Sequence, residues 1–133
     1  MTAIAALVAW VISAGVGVVM LLRWRRAVPP PPAALIHLAA AATGLALWIT
    51  YLSTDRPAAL AWVTFGVLIV INGLGDMLLT VRWRARRANT GHGSAILDYF
   101  RAAREVMSGK RPAALAHAFL APAILVLVLV TAL

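Results

Sequence analysis

Cysteine is absent from the 133 residues, and charged residues make up only 12% of them. The absence of cysteine excludes a disulfide framework and any metal site built from thiolates. So few charges could not cover a water-soluble domain in which 63% of the residues are hydrophobic, and the mean hydropathy of +0.92 indicates the bilayer as solvent. Enzyme signatures are also missing: the sequence contains no phosphate-binding loop, no nucleophile elbow and no HExxH pair.

Four apolar runs are each long enough to cross a bilayer as a helix, which takes roughly 20 residues. They cover about residues 2–22, 33–53, 58–81 and 113–133. Backbone groups in the bilayer core have no water to bind, so these runs must be helical. We therefore predict an all-α integral membrane protein, a four-helix transmembrane bundle in one domain over residues 1–133. The first run has no basic residue before it and is too long for a signal sequence, so we expect it to be retained.

A shorter amphipathic helix is predicted in the link before the last run, over about residues 95–107. Ser94 is a suitable N-cap and Gly109 a suitable end. The segment carries an apolar stripe at helical spacing, made of Ile96, Tyr99, Phe100, Ala103, Val106 and Met107. Its polar complement consists of Asp98, Arg101, Arg104 and Glu105. We expect this helix to lie on the inner membrane interface, or to dock a partner subunit.

Eleven of the twelve basic residues lie in two segments, residues 23–26 and 82–111. The positive-inside rule places both segments in the cytoplasm, and therefore both termini outside. The same rule accounts for the net charge of +8, so we expect no nucleic-acid partner. The expected surroundings are the lipid bilayer of a bacterial inner (plasma) membrane, with other membrane subunits or further copies of the chain as partners.

The sequence PAALIH at residues 32–37 returns as PAALAH at residues 112–117, each time after a segment that contains Arg-Trp-Arg. The chain can therefore be read as two tandem helical hairpins of the same polarity, related by a pseudo-two-fold axis along the membrane normal. Alternatively, proline and Trp-Arg are common at the ends of membrane helices and need no duplication. A similar RPAALAW opens the third run. The sequence leaves both interpretations open.

Each repeat ends in a histidine that lies five residues beyond the proline. The second and fourth spans run in the same direction, so His37 and His117 should lie at similar depth. In an up-down-up-down bundle these spans occupy diagonal corners, and the imidazoles would face each other across the axis. A haem with two axial histidines requires that arrangement. Small residues on the same faces (Ala41, Gly44 and Ala121) leave room for a macrocycle, and they equally suit close helix packing.

Arginines at the cytoplasmic border, among them Arg23 and Arg82, could pair with haem propionates. With these features the chain resembles membrane-bound b-type cytochromes, whose four-helix cores hold haem between histidines on facing helices. The resemblance covers the second and fourth spans, through His37 with Thr43-Gly44 and through His117. It implies one low-spin haem b, since the membrane contains one pair of histidines, and electron exchange on the cytoplasmic side with quinone as a candidate partner.

Asp76 is an acid inside the third span, and such a residue is by default a functional candidate. It could orient a histidine, relay protons or pair with a border arginine. With His37 and His117 it could also complete a two-histidine, one-carboxylate site for a transition metal. His92, between two glycines, is interpreted as a loop residue. Three functions remain open: a haem electron-transfer protein, a non-catalytic accessory subunit of a larger membrane complex, and a small metal or proton transport protein.

Overall fold

The structure is a computed structural model that describes residues 1–26, 29–87 and 93–133. The regular structure in these ranges consists of helices. The helices are α1 (Thr2–Arg25), α2 (Pro32–Ser53), α3 (Ala58–Arg86), α4 (Ala95–Met107) and α5 (Pro112–Ala132). All of them except α4 are long and apolar enough to cross a membrane. The prediction of an all-α integral membrane protein with four spanning helices is confirmed. His92 lies outside the described residues.

The helix boundaries differ from the predicted spans chiefly at the basic ends. α1 ends at Arg25 and α3 ends at Arg86, so both continue through their Arg-Trp-Arg segments. These segments contain no helix-breaking residue, and basic side chains in a last turn interact favourably with the helix dipole. α2 and α5 begin at Pro32 and Pro112, because a first helical position needs no backbone N–H. The hydrophobic pattern therefore predicted the apolar part of each helix and missed the basic turns that extend α1 and α3.

The four long helices form a ring in the order α1, α2, α3, α5. α1 packs most extensively on α5, and α2 on α3, whereas packing within each hairpin is less extensive. Across the described ranges α2 does not pack on α5, nor α1 on α3, so these pairs are the diagonals of the bundle. At the end opposite the arginines, the indole N–H of Trp48 donates to the carbonyl of Ala3 at 3.1 Å and ties α2 to α1.

The two hairpins bury equivalent positions. The buried residues of α1 are Ala3, Ala6, Trp10 and Ser13. Those of α3 include Ala61, Thr64, Leu68 and Ile71, each 58 residue numbers later. Gly44 and Trp48 of α2 correspond likewise to Ile124 and Val128 of α5, each 80 residue numbers later, which is also the separation of the two histidines. The packing therefore follows the tandem-hairpin organisation that the repeated sequence suggested.

The short helix α4 lies across the basic end of the bundle, against α3 and the start of α5. Its cap is the predicted one, since the Ser94 hydroxyl accepts a hydrogen bond from the N–H of Leu97 at 3.4 Å. Of the residues that form the predicted polar side of α4, Asp98 is fully buried. The Asp98 carboxylate accepts hydrogen bonds from Nε of Arg84 at 2.8 Å and from the N–H of Gly93 at 3.2 Å. A buried acid needs such partners, and this pair fastens α4 to α3.

The outward side of α4 carries apolar residues instead. Ile96, Phe100 and Met107 are exposed, whereas Ala102 and Val106 face the bundle together with Asp98. The exposed part of the apolar stripe (Ile96, Phe100 and Met107) is thus available to the membrane interface, where the hydrophobic face of an amphipathic helix is stable.

Candidate functional site

The two histidines meet across the bundle axis. The ring centroids of His37 and His117 are 6.3 Å apart, and the ring planes make an angle of 70°. Because α2 and α5 do not otherwise pack on each other, this contact is a meeting of side chains from diagonal helices. The structure therefore brings together the two residues that the repeated sequence pairs.

His117 is oriented by α1. Its Nδ1 lies 2.9 Å from the hydroxyl oxygen of Ser13 and 3.1 Å from the backbone carbonyl oxygen of the same residue. With the proton on Nδ1, the ring donates to the carbonyl and Nε2 keeps its lone pair for another partner. Ser13 is itself buried, so this contact fixes the orientation of the imidazole from within the bundle.

His37 occupies the equivalent place against α3 with fewer partners. The ring of His37 lies beside α3, where Ile71 is the counterpart of Ser13. The Nδ1 of His37 is buried without a hydrogen bond from any residue that the structure describes. Ile71 has no hydroxyl to supply one. The two imidazoles therefore lie in equivalent positions but are not equally satisfied.

Each imidazole approaches its neighbouring helix, α1 or α3, at a glycine. A Cβ added to Gly17 would lie 3.4 Å from Cε1 of His117, and one added to Gly75 would lie 3.5 Å from Cε1 of His37. The sequence interpretation did not identify these glycines. A signal was present, however, because Gly-Val-Gly at 15–17 and Gly-Leu-Gly at 73–75 both precede an Arg-Trp-Arg segment. In each case only the second glycine faces a histidine, and a Cβ on Gly15 or Gly73 would meet nothing within 4 Å.

The small residues that the sequence assigned to a cofactor have different surroundings. Gly44 does not leave open space, because a Cβ there would lie 2.9 Å from Cζ2 of Trp10. The indole of Trp10 on α1 fills the place of the absent side chain, and the assignment of Gly44 to cofactor binding stays a prediction. Ala41 is half-buried and packs against the hydrophobic core, and Ala121 is half-buried one turn beyond His117.

Asp76 turns towards α4. Its carboxylate accepts a hydrogen bond from the hydroxyl of Tyr99 at 3.5 Å, and the residue is exposed at the surface of the bundle. The negative charge of Asp76 is the main cause that raises the pKa of Tyr99 above its usual value. Within the described ranges no three His, Cys, Asp or Glu side chains are placed to hold a metal ion. Asp76 therefore does not join the histidine pair as a third ligand in this structure.

A cavity of about 280 Å³ opens at the basic end of the bundle, between α1, α3 and α5. We call it the mouth cavity; its cationic lining residues are Arg23, Arg82, Arg86, Lys110 and Arg111, and its apolar ones are Met20 and Pro112 to Ala114. Arg23 and Arg82 are two of the arginines that the sequence assigned to anionic groups. Ala114 is three residues before His117, so the cavity lies about one helical turn below the histidines.

Glu105 is the acid that approaches this cluster, and it is shared between Arg86 at 3.1 Å and Arg111 at 3.3 Å. The mouth cavity therefore keeps an excess of positive charge next to the imidazole pair. Comparisons with known proteins add no assignment: no protein-family model, no curated protein and no solved structure matches the chain.

Proposed function

We propose that the chain is a membrane-embedded electron-transfer protein that binds one haem b through His37 and His117. The observation that carries the proposal is the separation of 6.3 Å between the two ring centroids on diagonal helices. Two imidazoles that bind one metal ion from opposite sides, through bonds of about 2 Å, have centroids roughly 6 Å apart. When bound, haem with two histidine ligands supplies a one-electron couple and has no open position for oxygen chemistry.

The orientation of the rings supports the same assignment. Histidines that bind metals characteristically donate their other ring N–H to a backbone carbonyl or a carboxylate. Nδ1 of His117 lies 3.1 Å from the carbonyl oxygen of Ser13, which leaves Nε2 for a metal. His37 lies against α3 at the equivalent place, next to Gly75. The buried Nδ1 of His37 lacks a hydrogen bond from the described residues, so it is His117 that shows the partner typical of a metal-binding histidine.

The mouth cavity supplies the charge that the two propionates of haem require. Arg23 and Arg82 line it together with three further cations, one turn below the histidine pair. Arginine pairs well with carboxylates because its planar guanidinium can donate two parallel hydrogen bonds. The positive-inside rule orients this end towards the cytoplasm, so we place electron exchange on that side. Quinone is the partner that the likeness to b-type cytochromes suggests.

The test is the absorption spectrum of the full chain, purified in mild detergent from cells well supplied with haem. The expected protein is red, with a Soret band and sharp low-spin bands on reduction. His37→Ala and His117→Ala should each abolish or severely disturb that spectrum, because each removes one axial ligand. His92→Ala is the matched control and should leave the spectrum unchanged.

Two further measurements keep the result interpretable. Size-exclusion elution separates a folded protein without haem from an aggregate. His117→Met would replace the imidazole nitrogen by a thioether sulfur ligand and should raise the reduction potential, as a methionine ligand does in cytochromes. A folded, colourless protein with no metal by elemental analysis would exclude the haem assignment and favour the accessory-subunit function.

A further inference from the structure

A second cavity lies on the other side of the basic end, between α3, α4 and the turn before α5. It has a volume of about 420 Å³ and is lined by Trp83, Arg87, Arg101, Arg104, Glu105, Ser108 and Lys110. We call it the α4 cavity. Its lining contains four cationic side chains and one carboxylate. Of these residues, Lys110 also lines the mouth cavity, and the other six do not.

The two carboxylates near the α4 cavity are shared among several arginines. Glu105 pairs with Arg86, Arg111 and Arg87. Asp98 pairs with Arg84 and Arg101. Arg104 and Lys110 form no ion pair with any acid in the described part of the chain. The α4 cavity therefore holds uncompensated positive charge and attracts an anion.

The apolar stripe of α4 adjoins this charge. Arg104 follows Phe100 by four residues and precedes Met107 by three, so the three side chains are neighbours on one side of the helix. Phe100 is 63% exposed and Met107 58% exposed, which shows that the bundle does not cover them. A cationic cavity beside an uncovered apolar strip at the end of a transmembrane bundle is complementary to an amphiphile rather than to a free anion.

We propose that the α4 cavity binds the phosphate of an anionic phospholipid from the leaflet at the basic end, while its acyl chains lie along the exposed stripe of α4. Arg104 and Lys110 hold the headgroup, and Phe100 and Met107 contact the start of the chains. α4 is fastened to α3 by the Arg84–Asp98 pair at 2.8 Å, so the site is rigidly attached to the bundle. Lipid binding at this place is independent of any cofactor between the histidines.

The test measures phospholipid retained by the full chain in native mass spectrometry, after extraction with equal amounts of phosphatidylglycerol and phosphatidylcholine. Wild type should retain phosphatidylglycerol selectively. The double variant Arg104→Gln/Lys110→Gln should bind it about 25-fold more weakly, since one basic residue near a membrane surface contributes about fivefold. The control is Arg25→Gln/Arg26→Gln. It removes the same amount of charge at the basic end of the bundle, from two exposed positions at the end of α1 that do not line the α4 cavity. Arg104→Lys retains the charge and should retain binding.

Phe100→Ser and inorganic phosphate distinguish a lipid from a free anion. Phe100→Ser should weaken phosphatidylglycerol binding, and excess inorganic phosphate should not displace the lipid. An equal loss in both double variants would show that general charge explains the effect and would overturn the proposal. So would equal retention of phosphatidylcholine, or full displacement by inorganic phosphate with no effect of Phe100→Ser. A colourless protein that still selects phosphatidylglycerol would refute only the haem assignment.

Discussion

The close approach of each imidazole to a neighbouring helix predicts that the two glycines in Gly-Val-Gly and Gly-Leu-Gly differ sharply in their tolerance of substitution. At Gly17, the Cβ of a valine would lie 3.4 Å from Cε1 of His117. A Cβ alone fits at that distance, whereas the methyl groups of valine project about 1.5 Å further into a space where carbon atoms pack at about 3.5–4.0 Å. Valine in a helix is nearly restricted to one rotamer, which limits its escape. Gly75 presents the same problem to His37.

The expected magnitude follows from two opposing effects. Overpacking of a filled interior typically costs 1–3 kcal/mol, and replacing glycine by valine in a helix returns about 0.4 kcal/mol. Gly17→Val and Gly75→Val should therefore lower the free energy of unfolding by about 1–2 kcal/mol. Gly15→Val and Gly73→Val, where a Cβ meets nothing within 4 Å, should leave it unchanged or slightly higher.

The assay is reversible unfolding in mixed micelles titrated with a denaturing detergent and followed by circular dichroism. Gly17→Val is compared with Gly15→Val on α1, and Gly75→Val with Gly73→Val on α3. Each comparison removes the general effect of a valine on the stability of that helix. If Gly17→Val and Gly15→Val changed the free energy equally, the described contact between His117 and α1 would be refuted. If haem is bound, the second-glycine variants should also alter the low-spin bands, and the first-glycine variants should not.

Two other predictions concern orientation and Asp76. A reporter fused after Leu133 should be found on the side of the membrane away from the cytoplasm, and one inserted within residues 88–92 on the cytoplasmic side, because the arginines dictate topology. The reverse pattern would invert the proposed side of electron exchange. Asp76→Asn should leave any bound cofactor unchanged, since the carboxylate contacts Tyr99 and not a histidine. It should also lower the pKa of Tyr99, measured by phenolate absorbance against Tyr99→Phe, because the charge that raises this pKa is lost. The neutral hydroxyl contributes stability below about pH 10 that is lost as the pH rises through the raised pKa, and an unchanged Tyr99 titration in Asp76→Asn would contradict the contact.

Hydrophobic run length and repeated sequence predicted the main features of the bundle. The spans follow from composition because a bilayer admits few alternatives to a helix. The meeting of His37 and His117 follows from equal depth on diagonal helices. The paired glycines could also have been identified, because Gly17 and Gly75 stand in matching tripeptides at nearly the same distance from Arg-Trp-Arg.

Other features depended on contacts between distant segments. Gly44 looked like space for a ligand, and only the position of Trp10 on another helix shows that the space is filled. Asp98 was assigned to the polar side of α4, but its partner could not be read from that helix, because Arg84 lies 14 residues earlier on a different helix. The size and charge of a residue indicate what kind of neighbour it can contact. They do not indicate which residue of the fold will be that neighbour.

At matching depths the two hairpins carry side chains of different size. These differences determine which helices could be swapped between the hairpins in a chimera. The first hairpin sets the indole of Trp10 against Gly44, while the second has Leu68 and Ile124 at the corresponding positions, all four buried. Each hairpin thus carries its own match of large and small volumes. A chimera that duplicates the whole first hairpin keeps that match intact. Replacing α2 alone by α5 would instead place Ile124 opposite Trp10, and the two side chains would compete for the same volume.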